Sequence, residues 1–206
     1  MYIPKAFAET NSEKLFAFIE ANSFGILFSQ HNGQPFATHL PFLVERSTES
    51  PGWLWGHLAR ANPHWHDLAG EVLIVFPGPH AYISPAWYEE ENVVPTWNYL
   101  AVHVYGQLSL VQEDERLLKI VGDSVKFYEA ARPAPWALDA SANYIHKMLK
   151  GIVGFKIEIT RLEGKWKLNQ NHSTARQERV VNALKQLPDQ NSQEIAALME
   201  DNLKRR

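Results

Sequence analysis

The sequence predicts an α+β fold, a largely antiparallel β-barrel with peripheral helices. Three observations lead there. The β-type segments follow one another as hairpins with few helices between them. The run from Thr96 to Val111, TWNYLAVHVYGQLSLV, alternates like one long strand with two different faces. The chain has 206 residues, 45% hydrophobic and 21% charged. That suits one compact domain, or one domain with a helical appendage.

The elements follow in order. TNSEKLFAFIEAN predicts a helix, with Thr10 and Glu13 at capping-box spacing and Leu15, Phe18 and Ile19 on one face. SFGILFS reads as a strand, which Asn32-Gly33 turns into PFATHLPFLVE. A Ser/Thr/Glu/Pro loop over 46–52 leads to the strand WLWGHL, then a short helix in PHWHDLA ended by Gly70. VLIVFPG is continuously apolar, which predicts a strand buried on both sides. HAYISPAWY alternates until Pro85. On the long strand, Thr96, Asn98, Leu100, Val102 and Val104 share one face, and Trp97, Tyr99, His103 and Tyr105 the other. EDERLLKIVGDSVKFYEA is an amphipathic helix with acids in its first turn, where the helix dipole favours them. RPAPWA breaks the chain, and Asp139 caps a second helix through Lys150, closed by Gly151. IVGFKIEITRL, the turn Glu163-Gly164 and KWKL predict a final hairpin. Two helices end the chain, the last with Asn191 and Glu194 at capping-box spacing.

Composition excludes several chemistries. With no cysteine there is no disulfide, thiolate nucleophile or cysteine metal site. Each apolar run is broken too early to cross a bilayer, and the N-terminus lacks a signal-peptide pattern. A soluble cytoplasmic protein is the expectation. The formal charge of −3 lacks the basic excess of a dedicated nucleic-acid binder. The basic cluster LKRR at the C-terminus reads first as a solvated tail.

The densest chemistry lies in GHLARANPHWH. Asn62-Pro63 is a strong helix start, Arg60 sits just before it, and His57 lies on the preceding strand. A strand end, an arginine and first-turn amides together form a phosphate-sized anion pocket. The competing reading pairs Arg60 with a surface carboxylate. A metal site is weaker, because His64 and His66 are two apart and do not converge, although His39, His57 and His80 could. No nucleophile elbow, Rossmann fingerprint or P-loop occurs. Thr96, Trp97 and Asn98 present either ring-binding groups or core aromatics. Lys165, Lys167, Asn169, Gln170 and Asn171 form either an anion-facing rim or an ordinary hairpin exit.

The segments MYIPKAF, THLPFL, GHLARANPHW, VLIVFPGPHAYISPAWY, VPTWNYLAVHVYG, IVGFKIEITRLEGKWKLNQN and the late AALM stand in the order of the PaiB family. The chain therefore resembles the FMN-binding negative transcriptional regulators of protease synthesis and sporulation. The resemblance implies a split β-barrel like that of pyridoxamine-phosphate oxidases, forming a homodimer with FMN between subunits. It implies a barrel domain over 1–170 with inserted helices and a helical extension over 171–206. His57, Arg60, Ala61 and Asn62 would surround the FMN phosphate and ribityl chain, and Thr38, His39 and Leu40 the flavin edge. Thr96, Trp97 and Asn98 would complete the wall, with Lys167 and Gln170 as further cofactor-binding residues. No catalytic or metal-binding residue is implied. The chain departs from the family where it reads KLNQNH for KLSQNR, placing Asn169 for serine and His172 for arginine, and has Ala86 where serine is usual.

The reading this supports is a non-enzymatic FMN-binding regulator, acting indirectly or through a DNA contact by the last helix and KRR. The alternatives are an FMN-dependent oxidoreductase, the usual trade of related barrels, and a metal-dependent hydrolase built on the histidines.

Overall fold

A computed structural model describes residues 1–48, 50–68 and 70–205. Eight strands are β1 (Ala8–Glu9), β2 (Phe24–His31), β3 (Gln34–Pro41), β4 (Leu43–Glu45), β5 (Trp53–Ala59), β6 (Gly70–Ile83), β7 (Thr96–Val111) and β8 (Ile152–Lys167). They form one sheet in the order β3-β2-β6-β7-β8-β5-β4, with β1 beside β8. Every pairing with a defined register is antiparallel. The helices are α1 (Ser12–Ala21), α2 (Asp114–Glu129), α3 (Asn143–Leu149), α4 (Thr174–Leu184) and α5 (Gln190–Lys204). Among the described residues, no helix is long and apolar enough to cross a membrane.

Two compact units divide the chain. The first holds Met1–Leu15, Pro77–Val102 and Glu163–Arg206. Its core joins Leu100 and Val102 of β7 with Val180, Leu184, Ile195 and Met199 of the α4–α5 pair, all buried. Glu90 accepts from both Arg176 and Arg179 of α4, tying the loop before β7 to that helix. The second unit holds Phe16–Phe76 and His103–Leu162. Phe42 packs against Phe76 at 5.5 Å and Phe155 at 5.7 Å between ring centroids. Leu117 and Ile120 of α2 are also buried. Gly154 lets them approach β8, since a Cβ there would lie 2.7 Å from Leu117 Cδ2.

The period-two strands and the Asn32-Gly33 turn form as expected; both turn residues have positive φ, 51° and 72°, the geometry a two-residue hairpin demands. Other elements differ. No hairpin forms at Glu163-Gly164, because β8 runs unbroken through both residues. Gly164 serves close approach instead: a Cβ there would lie 2.3 Å from Leu15 Cδ2 and 3.0 Å from Glu9 O. VLIVFPG and HAYISPAWY merge into the single strand β6. On it Val72, Ile74 and Phe76 are buried while Leu73 and Val75 are only partly so, and burial is therefore one-sided rather than two-sided.

The caps shift by a residue or two. Asn11, not Thr10, caps α1, accepting from Lys14 N at 3.0 Å. Asp189, not Asn191, caps α5, accepting from Ser192 N at 2.9 Å. Asp139 folds back on Ser141 N instead of capping α3, which starts only at Asn143. At α1 and α5 a nearer short polar side chain reaches the free amide first, whereas α3 starts after Ala142 without a side-chain cap.

Gly106 yields a stability prediction. A Cβ at that position would sit 2.5 Å from the backbone oxygen of Glu158, which cannot step aside without moving β8. Gly106→Ala is expected to lower the unfolding free energy by about 2 kcal/mol. Urea titration would show a lower midpoint at unchanged slope; an unchanged midpoint would refute the close-approach argument.

Candidate functional site

The expected anion corner lies in the second unit. Asn62 caps a five-residue 3-10 turn, Pro63–Asp67, rather than a longer helix, and its side chain accepts from His64 N at 3.0 Å. This turn consumes amides. Arg60 N donates to Gly151 O and Asn62 N to Ala59 O. Pro63 has no N–H. The expected row of outward donors reduces to Ala61 N–H, which has no partner among the described residues.

His64 is fully buried beneath the turn. Its Nε2 lies 2.6 Å from Ser29 Oγ and its Nδ1 2.8 Å from Thr38 Oγ1. Asn62 Nδ2 donates to Thr38 Oγ1 at 3.2 Å, and Ser29 Oγ donates to Gln30 O at 3.2 Å. One proton ordering satisfies every group: Asn62 donates to Thr38, Thr38 to His64, His64 to Ser29, and Ser29 to the carbonyl. Burial and the neighbouring His31 hold the His64 imidazole below its usual range, so it is neutral at neutral pH. Sequence reasoning weighed His64 only as a metal ligand and missed this hub, whose partners lie 26 and 35 residues away in sequence.

Arg60 is partly engaged. Its Nε donates to Lys150 O at 2.9 Å and its Nη2 to Ile152 O at 3.0 Å, and its guanidinium lies 5.8 Å from the Trp65 ring centroid. The surface-carboxylate pairing is therefore absent among the described residues, and Nη1 has no hydrogen-bond partner there. His57, on β5, has a buried Nδ1 without a partner among the described residues. Burial pushes its pKa down, which keeps the ring uncharged at neutral pH. Thr38 is half-buried, His39 is exposed and stacks on Phe24 at 6.4 Å, and Leu40 is buried. Among the described residues no group of three or more potential ligands could hold a metal.

The remaining expected residues lie in the first unit. Trp97 is 53% exposed, beside Tyr82 at 5.8 Å and His80 at 6.1 Å. Asn98 points the other way, as strand alternation requires: it is wholly buried, with Nδ2 3.3 Å from Met199 Sδ on α5. Lys167 Nζ donates to Thr96 Oγ1 and, at 2.5 Å, to Trp97 O. Gln170 knits the end of β8, accepting from Leu168 N and donating to Trp166 O. His172 accepts from Arg176 Nη1 at 3.0 Å. Burial and Arg176 keep it below its usual range, so it brings no charge at neutral pH.

The free groups of the corner suit a phosphate ester. Arg60 Nη1 and Ala61 N–H lack protein partners among the described residues, and a guanidinium with a peptide donor is a common oxyanion set. Comparison with known proteins identifies the cofactor. A family model described as "Putative FMN-binding domain" matches residues 1–161. The chain is 41% identical over 208 residues to Protease synthase and sporulation protein PAI 2 of Bacillus subtilis (strain 168), covering 100% of this chain and 99% of that protein. Among solved structures it resembles the flavocytochrome Anf3 from Azotobacter vinelandii, with TM-score 0.61 and 14% identity over 80% of this chain and 72% of the other. It also resembles the FAD and heme binding protein from Mycobacterium smegmatis, with TM-score 0.60 and 16% identity over 78% and 73%. At such identities these structures speak for the fold alone, an α+β split barrel, while the family match names FMN. The chain belongs to the PaiB family of FMN-binding proteins.

Proposed function

We propose that this protein is an FMN-binding negative transcriptional regulator of protease production and sporulation, working as a cytoplasmic homodimer without turnover of its own. The observation that carries this reading is the end-to-end likeness to PAI 2, which continues past the FMN-binding domain match at 161. In this proposal Arg60, Ala61, Asn62 and His57 hold the phosphate and ribityl chain. Thr38, His39 and Leu40 line the flavin edge. The partner subunit supplies the opposite wall, with Trp97 against the ring. Thr96, Lys167 and Gln170 steady that wall, and Asn98 anchors its strand to α5. An exposed tryptophan beside a tyrosine and a histidine supports such a role, since a planar ring gains contact area there. Bound FMN supplies a redox-active planar ring; the protein orients it and shields its faces.

A net charge of −3 argues for action through a protein or small-molecule partner. Any direct DNA contact would use α5 and the terminal KRR, of which Arg206 lies outside the described residues. Such a contact would weaken steeply with salt in a gel-shift assay.

The test is expression of this chain in Bacillus subtilis lacking PAI 2, with FMN titration of the purified protein. Secreted protease is expected to return to its low level, and the protein to bind FMN. Protease output that stays high despite soluble, FMN-loaded protein would refute the regulatory role. Rapid bleaching of the flavin by NADH or NADPH under anaerobic conditions would refute the absence of turnover.

A further inference from the structure

Two lysines in the first unit stand without a counter-charge. Lys165 and Lys167 are two residues apart on β8, so their side chains leave the same face. Lys165 is 7% exposed; its Nζ donates to Tyr2 O at 3.1 Å and lies 5.0 Å from the Tyr99 ring centroid and 5.7 Å from that of Tyr2. Lys167 is half-buried and donates to Thr96 Oγ1 and Trp97 O. Neither has a carboxylate partner among the described residues. Nearby acids are engaged elsewhere: Glu163 with the terminal amino group, Glu9 with Lys14, and Glu90 with two arginines.

Such an arrangement is costly as it stands. A buried ammonium needs compensation, and a second one on the same strand face adds repulsion. Each ammonium has three donors, yet Lys165 meets one oxygen and Lys167 two, leaving three N–H groups without an oxygen acceptor. Aromatic faces compensate Lys165 in part. They cannot offset the mutual repulsion.

We propose that Lys165 and Lys167 form an anion seat for the phosphate group of a small molecule other than FMN. Two ammonium groups match the double charge of a phosphate monoester, and as point charges they demand no planar, two-pronged partner. Burial and Lys165 hold Lys167 below its usual range, a tension that a bound anion relieves. Lys167 also grips the carbonyl of Trp97, so occupancy of the seat reaches the strand that presents the proposed flavin wall. That gives the regulator a signal input beside its cofactor. The separateness of the ligand rests on the proposed placing of the FMN phosphate at Arg60.

Inorganic phosphate is the probe, titrated calorimetrically into FMN-saturated full-length protein at constant ionic strength. One saturable site is expected, weakened at least tenfold in Lys167→Met and in Lys165→Met. Lys167 is half-buried, so its variant is the one to retain the fold, checked by its urea midpoint; Lys167→Arg should recover most of the binding. Unchanged phosphate affinity in both methionine variants would overturn the seat, as would the absence of any saturable site in the wild type. Phosphate that binds flavin-free protein but is excluded by FMN would overturn the separate ligand and give the lysines to FMN itself. Should the protein take no FMN, the same titration on flavin-free protein still decides the seat, while the cofactor proposal alone falls.

Discussion

Arg60→Ala is expected to raise the dissociation constant for FMN about a hundredfold and to lower the stability of the flavin-free protein by about 2 kcal/mol. The two effects come from different parts of one guanidinium. Nε and Nη2 hold Lys150 O and Ile152 O, closing the chain between α3 and β8. A hydrogen bond from a charged donor contributes about 1.5–3 kcal/mol, and partial exposure brings the pair towards the lower end. Nη1 is left for the phosphate in the proposed site. Alanine removes both roles at once. The Arg60 side chain is therefore a strut in the fold as well as the proposed phosphate ligand.

Lysine separates the roles. It keeps the charge but has no fork, so it cannot span two divergent carbonyls while reaching for a ligand. Arg60→Lys should thus recover part of the FMN affinity while staying nearly as destabilised as Arg60→Ala. FMN fluorescence quenching reads the first quantity. Urea unfolding without flavin reads the second, since bound ligand would itself stabilise the fold. Wild-type FMN affinity in Arg60→Ala, with stability lost, would leave the guanidinium a strut only and place the phosphate elsewhere.

The strands were legible wherever side-chain alternation faces one core. Thr96–Val111 is one strand with Leu100, Val102 and Val104 inside, as its period indicates. Glycine was the ambiguous signal. At Gly33 it marks a turn, and at Gly164 it marks a place where Leu15 and Glu9 press on a continuous strand. Local sequence cannot separate these, because the crowding atoms come from about 150 residues away. The corner was legible as a set of residue types, since Asn62-Pro63 does start a turn. Its wiring was not. Arg60 binds backbone carbonyls, which every residue offers, and His64 binds hydroxyls on two other strands. Neither partner leaves a mark in the sequence. Asn98 shows the converse: alternation alone puts it opposite Trp97, and the structure buries it under α5.

His64→Leu is expected to cost about 3 kcal/mol at pH 7 and to flatten the acid side of the stability profile. Leucine fills the space against Phe36, whose ring lies 4.7 Å away, but bonds neither Ser29 nor Thr38. The pH effect follows from linkage. His64 is held below its usual value by burial first, then by His31, against an opposing pull from Asp67. Asp67 itself pairs with His31 at 2.6 Å. A histidine whose folded pKa is lowered binds more protons unfolded than folded. Its contribution is complete above the unfolded value of ~6.5 and is lost as pH falls from there through the lower folded value. His57 and His172 are shifted the same way, so the wild type should lose stability as pH falls below about 6.5. Removing His64 removes its share of that slope and leaves the other two. Urea midpoints at pH 7.5 and 5.5 decide it: the gap should be smaller in His64→Leu than in the wild type. An equal gap would mean that His64 is not the neutral link between Thr38 and Ser29. The corner's order would then rest on Asn62 and Arg60 alone.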